Sequence, residues 1–338
     1  MKKIFSFITL AFLALAAFSE SKTFTYKDYT LKAFYAPSVQ PGDAVFIRLI
    51  FETTNKKLIK SLSESGESGT LTVFRLNDDG STSEKSVTKS EFYRIGKKTD
   101  KKKVQTVLLT GAALSTWTKP GSFISKITTK AFNSEQTIEI PFSIIKKDFV
   151  SETIQLDKRN TAIRTDTSPE RKRQIESLNN IFATKNMDSV YETSAFVPPN
   201  PATRRTSFFG DRRVFAYSDG TSSTTLHYGI DYGIPTGSEV RSCGKGKVVM
   251  AEDRISTGWS VCIEHLPGLY SVYYHMSELK VNVGQEVNSG DLIGLSGATG
   301  LATGPHLHWE MRLNWEAVSP DFFTGDFTFK KESELTGN

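Results

Sequence analysis

Residues 283–310 read VGQEVNSGDLIGLSGATGLATGPHLHWE, and this stretch decides the fold. Its glycines at 284, 290, 294, 297, 300 and 304 recur every three to six residues. That is too dense for a helix and suits short strands joined by tight turns that need positive φ. The stretch closes on His306-Leu-His308. Side chains two positions apart on a strand point to one face, so these two imidazoles share a side with α carbons roughly 6.6 Å apart. One ring can then bind a metal while the other reaches the metal's substrate side, and the spacing leaves open which does which.

Working outward, His227-Tyr-Gly-Ile-Asp231 has the same parity if it is extended, with His227, Gly229 and Asp231 on one face. Gly229 and the following Gly233-Ile-Pro235 argue against a helical i, i+4 pair. A further histidine stands in Tyr273-Tyr-His275-Met276. Imidazole and carboxylate are the usual nitrogen and oxygen ligands of catalytic Zn²⁺, and three protein ligands leave one position for water. The pattern therefore points to a zinc site with catalytic partners. The fifth histidine, His265 in Ile263-Glu-His-Leu266, is expected to be structural. Phosphate binding by the glycines is disfavoured, because neither G-x-x-x-x-G-K-[ST] nor a G-x-G-x-x-G opening a helix occurs.

Taken with Thr206-Ser-Phe-Phe-Gly-Asp-Arg212, Val283-Gly-Gln-Glu-Val287, Gly290-Asp-Leu-Ile-Gly294 and Ser296 through Glu310, these motifs resemble the LytM/lysostaphin-type zinc metallopeptidases over residues 206 to about 322. The resemblance implies an exported zinc endopeptidase that hydrolyses peptide bonds of bacterial peptidoglycan. It implies one Zn²⁺ on His227, Asp231 and His308, with His275 and His306 as the catalytic pair that handles protons beside the attacking water. It also admits two variants of that theme: a non-catalytic regulator of other cell-wall hydrolases, which in this family has lost its ligands, and intramolecular inhibition by the N-terminal region. The hairpin-like Val281–Gly294 is similar to biotinyl and lipoyl carrier domains too, but the lysine turn of those carriers is missing.

Lys2 and Lys3 precede an apolar run from Ile4 to Phe18, and Ala17-Phe-Ser19 supplies small residues for cleavage before Glu20. This predicts a secretory signal peptide over residues 1–19 and export to the periplasm, the cell envelope or the exterior. No cysteine stands near Ser19, which argues against a lipid anchor, and no stretch reaches the ~20 apolar residues of a membrane span. An integral membrane protein is not expected. The net charge of +5 falls by the two lysines of the signal peptide, leaving a mildly basic chain. The run Lys97-Lys-Thr-Asp-Lys-Lys-Lys103 stands alone and reads as a solvated loop, so no nucleic-acid partner is expected. Cys243 and Cys262 flank an expected hairpin, Lys247–Ala251 against Ser260–Glu264, and are read as buried unpaired thiols, although export permits a disulfide.

The expected fold is all-β. A β-rich, immunoglobulin-like sandwich over 22–148 rests on runs such as Ala44–Phe51, Thr70–Phe74, Val104–Leu109, Phe123–Thr128 and Thr137–Ile144, without the Cys-Trp-Cys hallmark. A linker over 149–205 carries a helix at about 168–183, with Ser168 as N-cap, Pro169 at the first position and an apolar stripe of Ile175, Leu178 and Phe182. A LytM-like β-sheet or barrel peptidase domain follows over 206–325, then a tail over 326–338.

Overall fold

The computed structural model describes residues 19–61, 67–99, 102–132 and 134–324. The signal peptide, apart from Ser19, and the tail over 326–338 fall outside the described residues. Strand dominates the described chain.

The first half forms two five-stranded sheets. One runs Glu20–Thr25, Thr30–Tyr35, Ala44–Thr53, Val104–Ala113, Tyr93–Thr99, and the other Ser38–Val39, Ser134–Ile144, Gly121–Ala131, Ser68–Arg75, Thr88–Glu91. Gly121–Ala131 shows why they form a layer. Phe123, Ser125, Ile127, Thr129 and Ala131 are buried and their neighbours are not, the period of two that one covered face imposes. Leu31, Leu49, Phe51, Leu71, Val73 and Ile140 fill the space between the sheets.

Ala44–Thr53 departs from that alternation, being buried on both faces. Its second face, with Phe46 and Ile50, belongs to another core that takes in Met311, Leu313, Val318 and Phe323 from the far end of the chain. The ring of Phe46 lies 6.0 Å from those of Phe322 and Phe323. Gly111 makes room for it, since a Cβ there would sit 2.5 Å from the Phe46 ring. The sandwich and the histidine-bearing region thus share one continuous core rather than standing apart.

That region is built on an antiparallel sheet in the order Arg205–Ser207, Gly229–Tyr232, Leu307–Leu313, Leu269–Met276, Gly258–Leu266, Gly246–Arg254, Glu286–Val287, with Glu316–Val318 pairing onto Leu307–Leu313. The expected hairpin is present as Gly246–Arg254 against Gly258–Leu266. Both cysteines are buried free thiols, and burial pushes Cys243 up to about 11. Not every glycine of residues 283–310 serves a turn of positive φ. Gly284, Gly290 and Gly300 do take positive φ, whereas Gly294 and Gly297 do not; they are small because the backbones of Glu278 and Ser277 approach within 2.6 and 2.7 Å of where a Cβ would lie. No helix among the described residues is long and apolar enough to cross a membrane.

The connector carries more structure than one helix. Ser151–Gln155 is a strand, parallel to Arg212–Ala216, in a small sheet completed by Ser222–Leu226. A first helix, Lys158–Thr165, opens on Asp157, whose carboxylate accepts from Asn160 N at 2.7 Å. Its sequence carries no apolar stripe, so periodicity gave no signal for it. The second helix, Pro169–Ala183, starts where the serine and proline place it, with Ser168 Oγ accepting from Arg171 N. Its buried face is not the expected one. Leu178 and Phe182 pack on Met250, Cys262 and Tyr270, but Ile175 is 44% exposed. The inward position goes to Gln174, whose Oε1 accepts from Ile255 N at 2.9 Å and whose carbonyl accepts from Arg254 at 2.8 Å. A polar brace replaces an apolar contact. The first helix braces a second loop, with Asn160 Nδ2 donating to Ala302 O at 3.4 Å and Arg159 to Gly300 O at 3.2 Å.

Candidate metal centre

Strand register builds the centre. Asp231 sits directly opposite His308 across the antiparallel pair Gly229–Tyr232 and Leu307–Leu313, and Tyr274 lies opposite His308 on the other side. His227 is not on a strand, contrary to the parity reading. It occupies the two-residue connection between Ser222–Leu226 and Gly229–Tyr232, and the chain's turn brings its ring back to Asp231. Gly229, next on the strand, lets the partner strand come close, since a Cβ there would meet Trp309 O at 2.3 Å.

His227, Asp231 and His308 present one donor atom each within 4.8 Å of one another, all three residues buried. The edges of the triangle are 3.0 Å (His227 Nε2 to Asp231 Oδ1), 2.8 Å (His308 Nδ1 to Asp231 Oδ1) and 2.9 Å (His227 Nε2 to His308 Nδ1). Tetrahedral ligands bound at 2.0–2.1 Å stand roughly 3.3 Å apart, so the triangle is a few tenths of an ångström tighter than a zinc site requires. Tautomers agree with metal binding. Carbonyl and carboxylate oxygens only accept, so His227 Nδ1–H donates to Phe208 O at 2.8 Å and His308 Nε2–H to Glu310 Oε1 at 2.9 Å. The remaining nitrogen of each ring then turns its lone pair inward.

Two nitrogen lone pairs and a carboxylate oxygen at such distances repel unless something positive lies between them. The electrostatic balance of the cluster carries the same demand. Burial works against a charged His308, but hydrogen bonds to Asp231 and Glu310 outweigh it and raise its pKa to about 9. Burial also opposes ionised Asp231, yet His227 and His308 hold it well below the usual carboxylate range. Burial lowers His227, so one proton, on His308, satisfies the cluster. A divalent cation would take that proton's place, and the donor set fits one.

A second ring of side chains orients these donors, which the motifs did not reveal. Glu310 is clamped by Arg312 Nε at 2.7 Å, and Arg312 with His308 overcomes burial to lower it to about 2. Arg312 in turn lies against Tyr228 and Phe182. Asp231 turns Oδ1 to the cluster while Oδ2 accepts from Arg213 Nη2 at 2.8 Å, and Arg213 Nε donates to Glu152 at 2.8 Å. Such partners fix ring and carboxylate orientation at metal sites. Glu310 and Arg312 follow His308 at spacings of two on one strand, so parity could have found them. Glu152 lies 61 positions before Arg213, beyond the reach of any local pattern.

His275 and His306 stand beside the triangle, outside it. Their ring centroids are 4.6 Å apart, and His306 Nε2 is 3.8 Å from Asp231 Oδ1. His306 Nδ1–H donates to Gly304 O at 2.9 Å and His275 Nδ1–H to Thr299 O at 2.8 Å, which leaves both Nε2 atoms free to accept. Burial lowers both, His275 to about 3 with help from the neighbouring imidazoles. His275 also holds φ of +62°, a conformation costly for a residue with a Cβ and typical of functional sites. All five histidine-motif residues line one cavity of about 630 Å³.

His265 lies elsewhere, fully buried, with Nδ1–H donating to Lys245 O at 2.8 Å and Nε2 2.7 Å from Ser271 Oγ. Burial depresses it to about 4. The unfolded chain takes up this proton near 6.5 and the folded chain only near 4, so the unfolded state binds more protons between those values and stability falls as pH drops through them. The full loss at pH 4 is about 3 kcal/mol from this residue. Denaturant titrations from pH 7 to 4 should show the decline, and His265→Gln should flatten it; an unchanged slope would remove His265 from the account.

The profile of peptidase family M23 matches residues 225–320. The peptidoglycan DD-endopeptidase ShyA of Vibrio cholerae is 38% identical over 135 residues, 40% of this chain and 31% of ShyA. The DD-carboxypeptidase/endopeptidase Mpg of Neisseria meningitidis is 40% identical over 95 residues, 28% of this chain and 22% of Mpg. The chain thus spans a third or less of these relatives' length. A crystal structure from Pseudomonas aeruginosa described as a peptidase M23 superposes over 86% of this chain and 96% of its own with a TM-score of 0.51 and 21% identity, a likeness of fold.

Proposed function

We propose, from the match of residues 225–320 to the peptidase family M23 profile and from the geometry of the site, that the chain is an exported zinc endopeptidase that hydrolyses peptide bonds of bacterial peptidoglycan. The observation that carries the proposal is the convergence of His227 Nε2, Asp231 Oδ1 and His308 Nδ1, with the free Nε2 atoms of two further histidines on the open side. His227, Asp231 and His308 would hold one Zn²⁺, which when bound supplies Lewis acidity toward a carbonyl and brings water to a pKa of about 7.

The chain's own residues do the rest. His306 Nε2, nearest the triangle, accepts the proton of the attacking water, because Gly304 O fixes the tautomer that leaves this nitrogen basic. The proton that His306 takes from the water then goes to the leaving amine, directly or relayed by His275, whose ring lies 4.6 Å away centroid to centroid. Burial disfavours a resting charge on either ring, so both begin neutral and able to accept. Arg213 holds Asp231 to one inward oxygen, and Glu310 prevents His308 from rotating out. The regulator variant requires none of this, since nothing need position proton-accepting nitrogens where no bond is cut.

Digestion of purified peptidoglycan followed by mass spectrometry tests the proposal. New amine termini within the peptides, abolished by a chelator and restored by zinc, are expected. Products cut in the glycan strand, or none at all from zinc-loaded protein, would refute it.

A further inference from the structure

The cavity around the metal centre is walled on one side by the connector, through Glu152, Leu156 and Arg164. Its charges are nearly all matched internally. Among the carboxylates that line it, Glu152 is taken by Arg213, Asp231 by Arg213 and the histidines, and Glu310 by Arg312 and His308. Of the cations, Arg213 is committed twice over, and Arg204 donates to Gly233 O at 3.5 Å. Arg164 is different. It lies half-buried in the last turn of Lys158–Thr165 with its guanidinium 5.0 Å from the ring centroid of buried Phe215, and among the described residues it has neither a hydrogen-bond acceptor nor an ion pair.

Its position is fixed although its donors are not used. Asp157 caps the helix, Asn160 ties it to Ala302 O, and Thr161 Oγ accepts from Ser218 N at 3.0 Å. The contact with the Phe215 ring holds the guanidinium at the cavity wall without using its N–H donors. A planar fork held in this way within a groove matches a carboxylate in two parallel hydrogen bonds, a geometry that lysine cannot reproduce.

We propose that Arg164 is a specificity-determining residue that binds a free carboxylate of the substrate peptide, so that the groove selects anionic over amidated peptides. This rests on the peptidase reading and deepens it. The selection acts mainly through KM, because the ion pair forms in the ground state and the transition state alike.

The test uses the full zinc-loaded chain and two synthetic cross-linked peptidoglycan peptides, identical except that one carries free α-carboxylates and the other carboxamides. For the wild-type chain kcat/KM should favour the carboxylate peptide by about 10- to 100-fold. Arg164→Gln should bring the ratio close to one, and Arg164→Lys should recover only part of the preference. The ratio is taken within each protein, so it does not depend on how much of a variant folds. A wild-type ratio near one, or one unchanged in Arg164→Gln, overturns the inference alone; it would leave Arg164 as a helix-terminal cation that serves the helix dipole. If the wild-type chain cuts neither peptide, the peptidase reading falls and the inference with it.

Discussion

His306→Ala should bind metal as the wild-type chain does and lose about 10³-fold in kcat, with KM little changed. The ring lies outside the triangle of donors, with Nε2 3.8 Å from Asp231 Oδ1, and its one fixed partner is the carbonyl of Gly304. Removing it takes no donor from the cluster and no support from Asp231, which keeps Arg213, or from His308, which keeps Glu310. What disappears is the proton acceptor, and general acid–base groups contribute about 10²- to 10⁴-fold. His275, 4.6 Å away ring to ring, is the remaining imidazole, so residual turnover should fall further in the double variant. Steady-state kinetics with metal analysis checks this, and a variant that loses metal would mean that His306 is itself a ligand.

His308→Ala should lose metal and activity together. His308 Nδ1 forms two edges of the triangle, and two donors from His227 and Asp231 are too few for a catalytic zinc site. With the metal go its Lewis acidity and the acidified water, so hydrolysis should drop to background, at least about 10³-fold. The substitution also leaves buried Glu310 with Arg312 but without its histidine donor, a cost of about 1–3 kcal/mol in stability. His227→Ala separates the two effects. That ring donates only to Phe208 O, so the variant should lose metal as completely while leaving Glu310 in place.

Much of the centre was legible in the sequence because strands translate spacing into direction. His308 and Asp231 meet through register, whereas His306 lies one residue before the strand, in an isolated bridge to Gly297, and still falls beside them. The direction of the roles within His306-Leu-His308 came from family resemblance, since parity treats both rings alike. His227 was expected on a strand and lies in a turn, because a connection of two residues bends the chain without changing the motif. The all-β character was legible for the same reason of parity. The doubly buried strand Ala44–Thr53 also announced itself as a continuous apolar run, but its second partner, the segment around Phe322 and Phe323, lies some 270 positions away and no local pattern reports it.

The connector was the least legible part. Its strand Ser151–Gln155 and first helix are short and mostly polar, and they acquire their structure by pairing with Arg212–Ala216 and by bracing the loops at Gly300 and Ala302. Gln174 was invisible for a related reason: a buried polar side chain interrupts the stripe that marks a helix face, and only its partners Arg254 and Ile255 explain its burial.

The division of labour between ligands and proton carriers is decided by metal analysis of His306→Ala and His308→Ala, purified side by side with the wild-type chain. About one zinc per chain is expected in His306→Ala, as in the wild type, and close to none in His308→Ala. Equal metal content in the two variants, whether both loaded or both empty, would contradict it.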